Sequence, residues 1–310
     1  MLDKKGDILM KRIIFFIALS FFLGTVSAAE NTPLYWKGPS EMKQGFMQEM
    51  VALYKKMYGT DVILRSSEGS AGIRQVAARQ LDAGGSGRSK ISGDPAERLI
   101  RVVPVAWDML AVMTHQDNLV HNISLVQLKE VLEGKITNWR ELGGDDAPIK
   151  VLTLSDPLSG VAYSLNERLW KDPNKKIPLA ESFDTVEALN TRLLSDPAAM
   201  TIESFVVARK MPVNILAVDG TAPSYDAGIN GQYPLFRPLY FTYVSLRNKR
   251  LGEIKKLLKL AYSNPVKETM QENGLVPYLA SAKLVDLEKT RHSRRKIAAL
   301  QNKTAKALDK

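Results

Sequence analysis

Apolar positions along the chain fall into two alternating rhythms. Short, nearly continuous apolar runs read as buried strands at Leu34 to Trp36, Asp61 to Leu64, Ile100 to Val105, Asp108 to Met113, Ile149 to Leu154, Thr201 to Val207, Val213 to Val218 and Leu239 to Leu246. Between them the apolar residues recur every three or four positions. Phe46, Met50, Leu53 and Met57 line one face of a helix over 42–58, and Leu125, Leu128 and Leu132 do the same over 124–132. Further helices are predicted over 73–81, 161–170, 186–194, 251–262 and 266–273, the last stopped by Gly274. Strands alternating with helices predict an α/β fold of mostly parallel sheets flanked by helices.

One apolar run breaks the pattern. Ile13 to Gly24 is too short to span a bilayer, follows Lys11 and Arg12, and is followed by the small residues Ser27, Ala28 and Ala29. This is the form of a cleavable secretory signal peptide covering residues 1–29. The chain of 310 residues contains no cysteine. An exported protein without disulfides relies on a conventional core, and it has no cysteine for lipid attachment. The periplasm of a Gram-negative cell is the expected location.

Charge changes the picture only at the end of the chain. The formal net charge is +10, but residues 283–310 alone hold nine Lys/Arg against three acids. The basicity therefore belongs to a C-terminal tail, and neither it nor export suits a nucleic-acid partner. Ile297, Leu300, Thr304 and Leu308 share one side of a predicted helix in this tail, with basic residues largely elsewhere. Such a tail suits a weak, salt-sensitive contact with anionic lipid or an acidic partner.

Candidate chemistry sits in glycine and hydroxyl loops that open helices. Ser66-Ser67-Glu68-Gly69-Ser70-Ala71-Gly72-Ile73 is one; Asp82-Ala83-Gly84-Gly85-Ser86-Gly87-Arg88 is a related turn ending in arginine; Leu158-Ser159-Gly160 is a distant third. Helix N-termini expose unpartnered N–H groups and partial positive charge, and small residues let an anion approach them. Signs of catalysis or of a cofactor are missing. The three histidines stand apart, and the sequence contains no HExxH, CxxC, GxSxG or phosphate-binding P-loop pattern. Neither enzymatic activity, a bound metal nor a cofactor is expected.

Taken together, five stretches resemble the periplasmic phosphate-binding proteins of ABC transporters, a type II periplasmic-binding-protein family. They are Gly38-Pro39-Ser40; residues 68–73 with 82–88; Leu132-Glu133-Gly134-Lys135-Ile136-Thr137-Asn138-Trp139; Ser159-Gly160; and Gly231-Gln232-Tyr233-Pro234-Leu235-Phe236-Arg237-Pro238-Leu239-Tyr240. The resemblance implies a two-lobed fold with a ligand cleft between lobes. Lobe 1 would comprise 30–112 plus 238–282, lobe 2 would comprise 113–237, and the basic tail would be 283–310. It also implies capture of inorganic phosphate or a related oxyanion for delivery to a membrane permease. Ser40, Ser70, Gly72, Arg88, Ser159 and Gly160 fall at or beside ligand positions. Three departures stand out: Val161 where the family has threonine, Ser155 where some members have arginine, and Gly87 where others have aspartate. Glu68, Asp82 and Asp156 are alternative acceptors for the proton of hydrogen phosphate. Two other readings use the same residues: a ligand sensor docking to a membrane receptor, and an exported phosphate-ester hydrolase. The Tyr233-Pro234 and Arg237-Pro238 pairs read as rigid, extended chain beside the hinge.

Overall fold

The computed structural model describes residues 32–67, 71–91, 93–156 and 158–291. The expected signal peptide, Ser70, Glu68 and the tail from 292 onward lie outside the described residues. All elements below belong to the unit that begins at Leu34.

Strand β1 (Leu34–Gly38) leads into helix α1, residues 40–58, in which α turns Ser40–Met42, a π segment Lys43–Met47 and α turns Gln48–Tyr58 follow one another. Next come β2 (Val62–Ser66), α2 (Ala71–Ala77), β3 (Ala83–Ser86) and the long β4 (Ile100–His115). The middle of the chain forms β5 (Asn122–Ile123), α3 (Leu125–Leu132), β6 (Lys150–Leu154), α4 (Gly160–Trp170), β7 (Glu181–Phe183), α5 (Val186–Ser195), β8 (Ala199–Ser204), α6 (Phe205–Ala208), β9 (Val213–Val218) and α7 (Tyr225–Ile229). The chain ends in β10 (Phe236–Val244), α8 (Leu251–Leu260), α9 (Asn264–Glu272), β11 (Val276–Pro277) and a helix α10 over residues 282–291.

Local chemistry explains many of these boundaries. Ser124 and Gln127 form a reciprocal capping box at the start of α3, and the hydroxyls of Ser159, Thr185 and Ser224 each accept an N–H three residues on. Gly59 and Gly274 end α1 and α9 at φ of 70° and 81°, a left-handed conformation that glycine adopts without steric penalty. The apolar run predicted as a strand over 201–207 instead breaks at Ser204, whose Oγ accepts the Val206 N–H and starts α6.

The strands run in the order β2-β1-β3-β10-β4-β8-β6-β7, with β9 and β11 also on β4 and β5 on β9. Pairings of β1 with β2 and β3, of β6 with β7 and β8, and of β5 with β9 are parallel. Every pairing made by β4 and β10 is antiparallel, so the sheets are mixed, not mostly parallel as the alternation of elements suggested. The reason is topological: β4 carries the chain out of one sheet and β10 brings it back, so the two must oppose each other. β4 pairs with β10 as far as Met109 and with β8 from Leu110 onward. The two strands predicted over 100–105 and 108–113 are thus one. Pro104 does not interrupt it because a register shift at Leu239/Tyr240 lies opposite, where a missing N–H is tolerated.

Separate cores flank this crossing. Trp36, Phe46, Tyr54, Phe241 and Leu257 belong to the first, and Leu110, Leu128, Trp139, Leu216 and Tyr233 to the second. Trp139 is a packing anchor whose Nε1 donates to the Ala198 carbonyl at 2.9 Å, and the Tyr233 hydroxyl donates to the Leu110 carbonyl at 2.8 Å. The basic tail does not begin as a separate extension at 283. Leu284 of α10 is buried with Trp107, Phe236 and Val276, and Glu288 pairs with Arg168 at 3.8 Å. The apolar residues of α10 find a ready-made surface on the crossing strands, which composition alone does not reveal.

Close backbone approach positions α2. A Cβ on Gly72 would stand 2.6 Å from the Lys37 carbonyl oxygen and 3.2 Å from that of Gly85. Neither backbone atom can yield easily. Gly72→Ala is therefore expected to destabilise the fold by about 1–3 kcal/mol, the usual effect of overpacking, read as a lower midpoint in urea unfolding. An unchanged midpoint would show that α2 shifts freely.

Candidate functional site

The loop after β3 and the N-terminus of α4 come from segments more than seventy residues apart, yet they touch. A Cβ on Gly87 would lie 3.2 Å from the Gly160 Cα, and one on Gly160 would lie 2.9 Å from the Gly87 Cα. The Ser164 hydroxyl donates to the Gly87 carbonyl at 2.8 Å, and the Arg88 guanidinium lies 5.7 Å from the centre of the Tyr163 ring. Absence of side chains at both glycines is what permits this approach.

Ser159 is buried and caps α4, an 11-residue helix. Its Oγ accepts the Ala162 N–H at 3.2 Å, which leaves the hydroxyl hydrogen to donate. A small cavity of about 40 Å³ is lined by Ser159, Thr153, Thr201 and Glu203 together with apolar side chains. At the other helix start, Ser40 is the first residue of α1. Pro39 occupies the cap position and provides no side-chain hydrogen bond, so the opening amides of α1 are not satisfied by a capping side chain.

Arg237 and its carboxylates join these two helix starts. The guanidinium is 1% exposed. Its Nε donates to Asp108 Oδ2 at 3.0 Å, and its Nη2 lies 2.9 Å from the same oxygen and 2.7 Å from Glu41 Oε1 in the first turn of α1. Ser204 Oγ donates to the other Asp108 oxygen at 2.8 Å. The remaining nitrogen, Nη1, lies 2.5 Å from the Cβ position of Gly87 and 2.9 Å from that of Gly160.

The other predicted residues fall as follows. Arg88 is buried and grips Glu97, Nη2 to Oε1 at 2.6 Å and Nη1 to Oε2 at 3.1 Å, so a two-pronged ion pair inside the fold balances its charge. Gly72 faces the Lys37 and Gly85 carbonyls, an approach that accounts for its lack of a side chain. Ser70 lies outside the described residues, as does Glu68 among the candidate acceptors. Asp82 accepts the Tyr35 N–H at 2.8 Å and pairs with Arg250 at 3.5 Å, while Asp156 accepts the Leu158 N–H at 2.9 Å. Sequence reasoning missed Glu41, Asp108, Glu203 and the charge role of Arg237. A usable signal existed: Asp108 and Arg237 each interrupt an apolar strand, and they are directly paired in the β4/β10 register.

Burial shifts two of these carboxyls. Burial and the nearby Glu41 carboxylate push Glu203 up to about 8. Burial also pushes Asp108 up to about 6, with Glu41 adding to the rise and Arg237 opposing it. Both groups keep protons in the folded chain at pH values where the unfolded chain has released them. The stability these two groups contribute is therefore complete below the ordinary carboxyl values and is lost as pH rises toward about 6 for Asp108 and about 8 for Glu203. Thermal melts of ligand-free protein across mildly acidic to mildly basic pH are expected to show this decline, and Glu203→Gln is expected to flatten its upper part. A melting temperature that climbs through that range would contradict the assignment.

Comparison with known proteins gives a consistent result. A model described as the PBP superfamily domain matches residues 27–264. The chain is 26% identical over 225 residues to the phosphate-binding protein PstS of Bacillus subtilis (strain 168), which covers 70% of this chain and 71% of that protein. It is 28% identical over 194 residues to protein SphX of Synechococcus elongatus, covering 58% of this chain and 56% of that one. Among solved structures it is similar to a putative phosphate ABC transporter substrate-binding protein with bound phosphate from Clostridium perfringens. The TM-score is 0.71 at 23% identity, covering 79% of this chain and 99% of that one. An ABC-type phosphate transport receptor from Vibrio cholerae gives a TM-score of 0.61 at 21% identity, covering 78% and 99%.

Proposed function

The chain belongs to the PBP superfamily and has the type II periplasmic-binding-protein fold, and from that premise we propose that it captures inorganic phosphate outside the cytoplasm and delivers it to an ABC-transporter permease. The observation that carries this reading is the meeting of Gly87 with the Ser159-capped N-terminus of α4, beside the start of α1. Such an arrangement offers uncharged donors from separate segments to one small anion. Helix-terminal amides and a serine hydroxyl bind an oxyanion strongly once water is excluded, each worth more there than in solvent. The names of the relatives favour phosphate among oxyanions.

The proposed ligand set is Ser40, Ser159 and the Gly160 amide, joined by Ser70 from the sequence pattern. Arg88 and Gly72 act beside it, Arg88 by holding its loop to Glu97 and Gly72 by letting α2 pack. We take the lobes to meet where β4 passes from β10 to β8, with 30–112 plus 238–282 on one side and 113–237 on the other; closure about this crossing would present the bound form to the permease. Residues 1–29 would direct export. Among the described residues no helix is long and apolar enough to cross a membrane. The chain would bind its ligand unchanged, without catalysis, and the basic tail would add a salt-sensitive contact with an anionic surface.

Calorimetric titration of ligand-stripped protein with phosphate, sulfate, arsenate and molybdate tests this directly. Phosphate should bind one per chain and more tightly than sulfate. Ser159→Ala should weaken phosphate binding by about 1–3 kcal/mol, the effect of deleting a buried donor to a charged group. Absence of binding by any of the four anions would remove the proposal, and an unchanged affinity would remove Ser159 from the site.

A further inference from the structure

A buried guanidinium normally has its donors satisfied, because an unmade hydrogen bond in the interior is far more unfavourable than a made one is favourable. Arg237 departs from this. It is 1% exposed, and among the described residues its Nη1 has no hydrogen-bond partner. Its neighbours fix where that nitrogen points. Asp108 takes Nε and shares Nη2 with Glu41. Those contacts tie down two edges of a rigid, planar group and leave the third edge facing the place where Gly87 and Gly160 meet.

Both glycines matter to this geometry. A Cβ at 87 would stand 2.5 Å from Nη1 and one at 160 would stand 2.9 Å from it, both closer than real contacts allow. The two glycines therefore pack directly against this nitrogen, and the loop after β3 and the first turn of α4 are the backbone nearest to it. That turn is the start of α4, which Ser159 caps by accepting the Ala162 N–H, so a helix N-terminus lies beside the same nitrogen.

We propose that Arg237 contacts the bound oxyanion directly, Nη1 donating to one of its oxygens between Gly87 and the start of α4, with Glu41 and Asp108 as the positioning residues that aim it. The inference rests on the phosphate reading above. Because two carboxylates offset its charge, Arg237 works at contact range through a directed, charge-assisted N–H and not by long-range attraction. It supplies the formal positive charge in a cradle otherwise made of neutral donors, since Arg88 is committed to Glu97. A purely structural arginine would hold β10, β4 and α1 together equally well but would not touch the ligand.

A crystal structure of the wild-type protein with inorganic phosphate separates these roles. The proposal expects a phosphate oxygen within about 3.2 Å of Nη1, hydrogen-bond range. Phosphate bound with no oxygen in reach of Arg237 would overturn it. Two variants give the matching affinities. Arg237→Lys keeps the charge but loses the fork, and should raise the phosphate Kd by roughly 10- to 100-fold, as expected when one charge-assisted bond is lost. Since this variant also disturbs two buried carboxylates, Gly87→Ala is the companion: it keeps all three charged side chains and puts a methyl where Nη1 or the loop after β3 must give way. It should raise the Kd at least about tenfold, the order of one hydrogen bond, while circular dichroism stays that of the wild type. Wild-type affinity in folded Gly87→Ala and Arg237→Lys would overturn the inference and leave the phosphate reading standing. If the wild type binds no oxyanion at all, the functional reading itself falls, and this inference with it.

Discussion

A buried ionic knot at the strand crossing holds the rest of the structure in place. Arg237 on β10, Asp108 on β4 and Glu41 on α1 sit almost without solvent, and the Ser204 hydroxyl fixes the far oxygen of Asp108. Removing such charges from water is strongly unfavourable, and their mutual attraction compensates only when geometry and remaining hydrogen bonds are good. Here a single guanidinium ties together three elements that are remote in sequence. The start of α1 cannot drift from the crossing strands without leaving a buried carboxylate unpaired. That constraint brings the α1 start, the Gly87 loop and the α4 start to one place.

The same economy governs charge around the site. Arg88 is neutralised by Glu97, and Glu203 is held largely protonated at neutral pH by burial and the Glu41 carboxylate. What remains to meet a solute is mostly dipolar: helix amides and a serine hydroxyl. Dipoles fixed by the fold need no reorganisation when an anion arrives, and they leave no uncompensated charge when it departs. A site built this way suits a protein that must bind and then release its cargo.

The crossing strands also receive the end of the chain. Leu284 packs with Trp107 and Phe236, and Trp107 stacks on Tyr278 with ring centres 4.7 Å apart. Arg168 of α4 lies over the Phe236 ring at 3.9 Å and also pairs with Glu288. Helix α10 therefore bears at once on the strands that link the two cores and on α4, whose N-terminus belongs to the candidate site. Any relative motion of the cores would have to carry or shear these contacts.

Much of this was legible in the amino-acid order. Apolar rhythm placed most helices and strands, glycine and serine marked helix ends, and the glycine-hydroxyl loops pointed to anion-binding chemistry, because each of these is a property of a few neighbouring residues. Ser159 as a cap and Trp139 as a packing anchor follow from such local rules. The direction of β4 and β10, the docking of residues 282–291 and the pairing of Arg88 with Glu97 were decided elsewhere, by which surfaces the folded chain brings together. The clearest case is Arg237. Beside a proline in an apolar strand it reads as stiff connecting chain, and only tertiary structure sets it between Asp108 and Glu41 with one nitrogen turned toward Gly87 and Gly160. Local sequence determines which groups can donate, accept or cap; a buried charge takes its partner from across the fold, where sequence distance carries no information.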